Sequence, residues 1–165
     1  MKTKLINSIC ILLISLVSLS SCSTSDDGDD NNNQNNNAVE IQQIEDAAES
    51  GTWRVASMVD SGQDETSDFN GYEFTFNSNG TISATNGVNT YTGSWSVTDD
   101  SNSSSDDSSS DDDIDFNIQF QVSDDHDFDD LNDDWDVVSH SSTTISLIDI
   151  SGGNGGTDTL VFQKN

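Results

Sequence analysis

The sequence predicts an all-β fold: an eight-stranded antiparallel barrel preceded by a short N-terminal helix. Three observations predict it. From Gly51 onward apolar residues recur with period two, the spacing of a strand with one face on a core and the other in water. The alternating runs are separated by Gly, Asn, Asp and Ser, and the chain has no proline at all, so its turns rest on those four residue types. Just upstream, residues 38–50 repeat apolar residues at helical spacing instead. Only 31% of the 165 residues are hydrophobic, yet three Trp, two Tyr and seven Phe supply more ring surface than a disordered chain keeps.

Residues 1–22 stand apart from the fold. Lys2 and Lys4 make a positive n-region, and residues 5–19 form a largely apolar stretch, too short and too interrupted by Ser for a membrane span of about 20 residues. The segment reads as an export signal. It ends in Leu19-Ser20-Ser21-Cys22, which resembles the bacterial lipobox: an aliphatic residue, two small residues, then the cysteine that takes a diacylglyceryl group on its sulfur. The resemblance implies cleavage before Cys22 and lipid attachment to it. Cys10 would leave with the signal, so Cys22 would be the only cysteine of the mature chain, which could then form no intramolecular disulfide.

The charge sharpens with that cut. The full chain carries 31 acids against four bases, a formal net charge of −27; once Lys2 and Lys4 are removed, Arg54 and Lys164 face the same 31 acids, formally −29. Nucleic-acid binding is excluded, because it needs basic side chains to displace phosphate counterions. Adsorption to anionic lipid by charge is excluded too. The expected partner is the outer membrane, held through acyl chains on Cys22, at about 0.8 kcal/mol per buried methylene. Residues 23–37 read as an acidic, Asn-rich flexible tether. Its Asp26-Asp27-Gly28-Asp29-Asp30 cluster resembles the surface-export signal of Bacteroidota lipoproteins, which implies display on the outer, extracellular face.

The domain is expected to span residues 38–165. Val39, Ile41, Ile44, Ala47 and Ala48 recur at helical spacing, with Glu45, Asp46 and Glu49 opposite and Gly51 as the stop. Trp53, Val55 and Val59 then alternate with polar residues, as do Tyr72, Phe74 and Phe76; Ile82 and Ala84; and Tyr91, Trp95 and Val97. Ile114, Phe116, Ile118, Phe120 and Val122 give the cleanest alternation, followed by Trp135 and Val137, Ile145 and Leu147, and Leu160 and Phe162. Asn79-Gly80 and Asn86-Gly87 read as tight hairpins with positive φ at both turn positions. In the connection between the fifth and sixth runs, Phe128 and Leu131 are spaced to pin a single helical turn. Residues 99–113 are low-complexity Asp and Ser and read as a disordered acidic loop.

These residues carry a resemblance. Gly51-Thr52-Trp53 looks like the Gly-x-Trp signature of lipocalins, and GYEFTF at 71–76, GSWSV at 93–97, DDWDVV at 133–138 and SGGNGGTDTLVF at 151–162 extend it. Together they resemble the lipocalin-like domain of flavobacterial surface lipoproteins. The resemblance implies a barrel whose end is closed by Gly51 and Trp53 beneath a helical lead-in, and small-molecule carriage in general terms. Lipocalins usually stack an Arg of the last strand on that Trp; here the last strand offers Lys164, which can make the same cation–π contact.

Two functions of different class follow. An eight-stranded barrel either fills its interior with side chains or holds one small ligand. Trp53, Tyr72, Phe74, Trp95, Phe116, Phe120 and Trp135 are bulky inward positions, which favours a filled barrel that displays acidic, cation-binding loops in a structural or adhesive role. A carrier would instead take a small apolar ligand at the end away from Trp53, touching Tyr91, Phe116 or Phe120. The acidic stretches at 99–113 and 124–136 suit weak, delocalised binding of divalent cations, without the spacing of a defined metal site. SGGNGGTDT at 151–159 reads as a glycine turn rather than a calcium repeat. No cofactor motif is present, and His126 and His140 are isolated, with no nucleophile motif beside them, so the chain is expected not to be an enzyme.

Overall fold

The computed structural model describes residues 31–99, 114–150 and 156–165. The export signal with Cys22, residues 23–30 of the tether, the acidic loop beyond Asp99 and residues 151–155 of the glycine turn lie outside the described residues. Helix α1 spans Asn31–Glu49, so it takes in residues 31–37, which the sequence reads as tether. A buried stripe that starts before the apolar pattern accounts for the helix back to Asn37. Asn37, Ile41, Ile44 and Ala48 fall four, three and four residues apart; all but Ile41 are buried, and Ile41 packs on the core. Asn is a poor helix former, and packing of this face rather than propensity sustains the helix.

Nine strands follow: β1 Trp53–Asp60, β2 Gln63–Asp64, β3 Glu73–Phe76, β4 Thr81–Thr85, β5 Thr90–Asp99, β6 Ile114–Phe120, β7 Asp133–His140, β8 Thr144–Ile150 and β9 Thr157–Lys164. Strands β3 to β9 pair antiparallel in sequence order, and β1 closes the ring between β9 and β3. Strand β2 only folds back on the end of β1. The result is the expected eight-stranded antiparallel barrel after one helix.

Closure is uneven. The β1–β9 seam pairs from Trp53↔Lys164 to Val59↔Thr159, whereas β1 meets β3 only at Trp53↔Phe74. Above that pair the connection before β3 takes over the role of a strand: the Met58 carbonyl accepts from the Glu65 N–H at 2.9 Å, and the Met58 N–H donates to the Thr66 hydroxyl at 2.9 Å. Phe69 of the 3-10 turn Thr66–Phe69 is buried beneath.

Two local departures have clear causes. The sequence places Val59 inward, but Met58 is the buried residue, 1% exposed. A bulge between Val55 and Ser57 inserts Ala56 and reverses the inward phase of β1. The hairpins also differ from expectation, since positive φ occurs at Gly80 and Gly87 but not at Asn79 or Asn86. At the first, Gly80 N–H donates to Asn77 O and Asn77 N–H to Thr81 O, each at 2.9 Å, a turn followed by a glycine bulge. At the second, Asn86 acts through its side chain, whose Oδ1 accepts from the N–H groups of Val88 and Asn89.

The interior is one cluster of rings and aliphatic chains. Trp53, Phe74, Phe76, Phe116, Phe120, Phe128, Trp135 and Phe162 are all essentially unexposed. Phe76 is edge-on to Trp95, Phe116 and Phe162 at centroid distances of 5.2–5.4 Å, and Phe74 is edge-on to Phe162 at 5.4 Å. Such ring pairs add about 0.5–1.5 kcal/mol each beyond burial. Each of the three tryptophans also ties a strand to a segment outside the barrel wall. The Trp53 indole N–H donates to Ala48 O at the end of α1 (2.8 Å), Trp95 to Asn77 O in the β3–β4 turn (3.0 Å), and Trp135 to Leu131 O in the β6–β7 connection (3.1 Å).

Candidate functional site

The strand directions give the barrel two ends. At the first lie Trp53, α1 and the β7–β8 turn. Ile44 and Ala48 of α1 are fully buried there, and the last helical turn, whose carbonyls have no partner within the helix, is satisfied from outside. Trp53 supplies its indole N–H, and the Ser50 hydroxyl donates its O–H to Ala47 O at 2.6 Å. Lys164 crosses this corner: its Nζ lies 5.8 Å from the centre of the Trp53 ring and donates to Ser50 Oγ at 2.8 Å. Gly51 turns the chain beneath it at φ +127°, and a Cβ there would meet Lys164 Cε at 3.0 Å. The residues of the Gly-x-Trp motif therefore sit where helix, first strand and last strand meet.

The second end is the one at which a ligand was expected to enter. It is occupied by Phe128, carried on the β6–β7 connection rather than on a strand. Its ring lies 4.6 Å from Tyr91, 5.0 Å from Tyr72 and Phe120, 5.5 Å from Phe69 and 5.9 Å from Phe74, and it is 1% exposed. Two of the three expected ligand contacts, Tyr91 and Phe120, thus come together, and Phe128 fills the space between them. Phe116 does not join them; it lies deeper, stacked on Trp95 at 5.5 Å and against Phe76. The spacing of Phe128 and Leu131 correctly marks the 3-10 turn Asp129–Leu131. It does not reveal that Phe128 closes a barrel, since that depends on β3, β5 and β6 converging around it.

Carboxylates ring this end. Side-chain oxygens of Asp60, Glu65 and Asp130 lie within 4.8 Å of one another, a grouping able to hold a divalent cation. Glu65 is pushed above the ordinary carboxylate range, by desolvation first and then by the charges of Asp130 and Asp60; Asp130 is raised by desolvation and then by Asp60. Asp133, at the start of β7, is pushed up to about 6, chiefly by burial and then by its hydrogen bonding with Asp134. No alternation rule could pick out the three clustered acids, because Asp60 and Glu65 flank the β1–β2 hairpin while Asp130 comes from the β6–β7 connection, far away in sequence.

A groove of about 490 Å³ runs along the outer face of β5, β6 and β7, lined by Ser94, Ser96, Asn117, Gln119 and Asp134 among others. A second, of about 440 Å³, lies between α1 and the β7–β8 turn, beside Gln43, Asp46 and His140. Both lie on the outside of the barrel. The two histidines are placed at opposite ends. His140 Nε2 is 3.7 Å from Glu40 of α1, while His126 packs on Tyr91 at 4.7 Å.

The fold and this geometry define a class, an eight-stranded antiparallel barrel closed by a helix at one end and by a loop-borne ring at the other. No family model matches the chain, and no curated protein does. Its fold is similar to that of a DUF4847 family protein from Bacteroides vulgatus, with 16% sequence identity, a TM-score of 0.47, and coverage of 74% of this chain and 97% of that one.

Proposed function

We propose that this is a non-catalytic, lipid-anchored lipoprotein of the cell surface, whose filled barrel displays an acidic end that takes divalent cations. The observation that carries the reading is the aromatic interior capped by Phe128, with Asp60, Glu65 and Asp130 grouped nearby. A filled barrel has its chemistry on its rim, and this rim offers hard oxygen ligands of the kind Ca²⁺ prefers. Glu65 and Asp130 support it: desolvation first and then the neighbouring acids raise both carboxyls, and a cation relieves that second contribution. Attachment through Cys22 to the outer membrane rests on the lipobox resemblance, and extracellular display on the acidic cluster at 26–30.

Thermal melts in rising Ca²⁺ test the cation claim. A saturable rise in Tm is expected, lost in Asp130→Asn, while an unsaturable drift common to both proteins would reject it. Labelling with palmitate tests the anchor; incorporation into the native chain and none into Cys22→Ser is the expected result. A second reading, carriage of a small apolar ligand by the lipocalin-like barrel, is favoured by one observation. Its blocking ring sits on a connection, so displacing Phe128 would open a space bordered by Tyr91 and Phe120.

A further inference from the structure

The β6–β7 connection is held unequally along its length. Its C-terminal part is anchored at several points. Asn132 Oδ1 accepts from the Phe120 N–H at 2.5 Å, its Nδ2 donates to Phe120 O at 3.2 Å, and Leu131 O receives the Trp135 indole N–H. The N-terminal part, residues 123–128, is held to the barrel by ring packing; the His126 N–H donates to Ser123 O at 2.9 Å and the Asp129 N–H to His126 O at 2.7 Å, and one side-chain bond fixes the amide of Phe128 itself. The Phe128 backbone N–H donates to His126 Nδ1 at 3.1 Å. That bond requires an unprotonated Nδ1, with the ring proton on Nε2. Histidine is also the side chain whose charge ordinarily changes between pH 5 and 8.

We propose that His126 is the latch of a pH-operated plug, holding Phe128 in the barrel mouth when neutral and releasing it when protonated. A proton taken from solvent onto Nδ1 turns the acceptor into a donor facing another donor, so the bond to the Phe128 N–H is lost. The surroundings offer the charged ring a new partner. Asp124, Asp125 and Asp127 flank it on its own segment, and Tyr91 of β5 is the titratable group it packs against. Asp125 interacts with it electrostatically; its carboxyl is held below the ordinary range by the Ser123 hydroxyl first and by the His126 charge last. Asp127 faces Tyr91, whose phenol is raised by burial and by Tyr72. Rotation of the imidazolium towards Asp125 therefore exchanges a backbone contact for a charge-assisted one. Release leaves the strand-borne rings of Phe74, Tyr91 and Phe120 in place, and they line the opened mouth as an apolar site.

Hydrogen exchange of the full chain, read by ¹H–¹⁵N spectra between pH 8 and pH 5, tests the latch. The protection factor of the Phe128 amide is expected to fall about fivefold or more as the His126 ring signals titrate, the effect of losing one hydrogen bond. Amides of the β1–β9 ladder should hold theirs within about twofold over the same range. His126→Gln, whose side-chain carbonyl accepts but never titrates, is expected to abolish the change, and His140→Gln to retain it. Phe128 protection that stays constant while His126 titrates, or a fall that persists in His126→Gln, would overturn the proposal.

Discussion

The two ends of the barrel are closed by the same kind of material in different ways. At the Trp53 end a helix lies across the strands, and the closing ring belongs to β1, whose neighbours pair with it on both sides. Its indole N–H caps α1, and Lys164 covers its face. At the Phe128 end the closing ring is as deeply buried but belongs to a connection, with a single hydrogen bond to a histidine fixing its own amide. Burial is equal and attachment is not. Local opening follows attachment, so the Phe128 end should open at lower free energy than the Trp53 end.

Trp53→Ala should have the largest effect and breaks the firmer end. Buried Trp to Ala costs about 3–5 kcal/mol, and this one also strips a hydrogen bond from the end of α1. Chemical denaturation should find the upper part of that range, with loss of α1 signals in circular dichroism. Phe128→Ala should cost about 3 kcal/mol, the low end of the same range, because its segment can collapse into the space while the strands stay paired. If it costs as much as Trp53→Ala, the two ends are equally built in and the comparison fails.

Gly93→Ala probes the wall between the ends. Gly93 faces Phe120 where β5 and β6 approach closely, and an added methyl would overlap the Gln119 carbonyl and come within 2.9 Å of Phe120 Cα. A loss of about 1–3 kcal/mol by denaturant midpoint is expected. Lys164→Met should cost less, about 0.5–1 kcal/mol, through the lost cation–π contact and the bond to Ser50.

The pH dependence of stability sharpens the contrast further, because the raised carboxyls among the described residues lie at the Phe128 end. A carboxyl raised by folding binds its proton more tightly in the native state, so it favours folding at low pH and loses that contribution as pH rises through the folded value. For Asp133 the window runs from its ordinary value of 3.8 up to about 6. In the His126→Gln background, where the latch does not titrate, Tm should therefore rise as pH falls from 7 towards 5, and Asp133→Asn should remove part of that rise. A Tm that falls over this window, or an unchanged slope in the variant, would count against the assignment.

Much of this architecture was legible in the residues. Alternation from Trp53 to Phe162 marks all eight barrel strands, since a strand with one wet face must alternate. The helix was legible from Val39 onward but not from Asn31, because the Asn run reads as polar while Asn37 falls on the buried stripe. The inward place of Met58 was hidden by a bulge, which leaves no mark in a period-two pattern. The candidate site was the least readable part. Tyr91 and Phe120 read from the sequence as far-end positions, but the ring they share, Phe128, reads locally as the pin of a helical turn. The grouping of Asp60, Glu65 and Asp130 exists only once the β6–β7 connection meets the β1–β2 hairpin.

The central claim is that the barrel is filled and closed at both ends at neutral pH. Titration with the neutral apolar fluorophore N-phenyl-1-naphthylamine at pH 7.5, following quenching of Trp53, Trp95 and Trp135, tests it most directly. No saturable quenching and no gain in probe emission is the outcome the account requires. Saturable binding of one probe per chain, with energy transfer from the tryptophans, would contradict it and show an interior open to ligand.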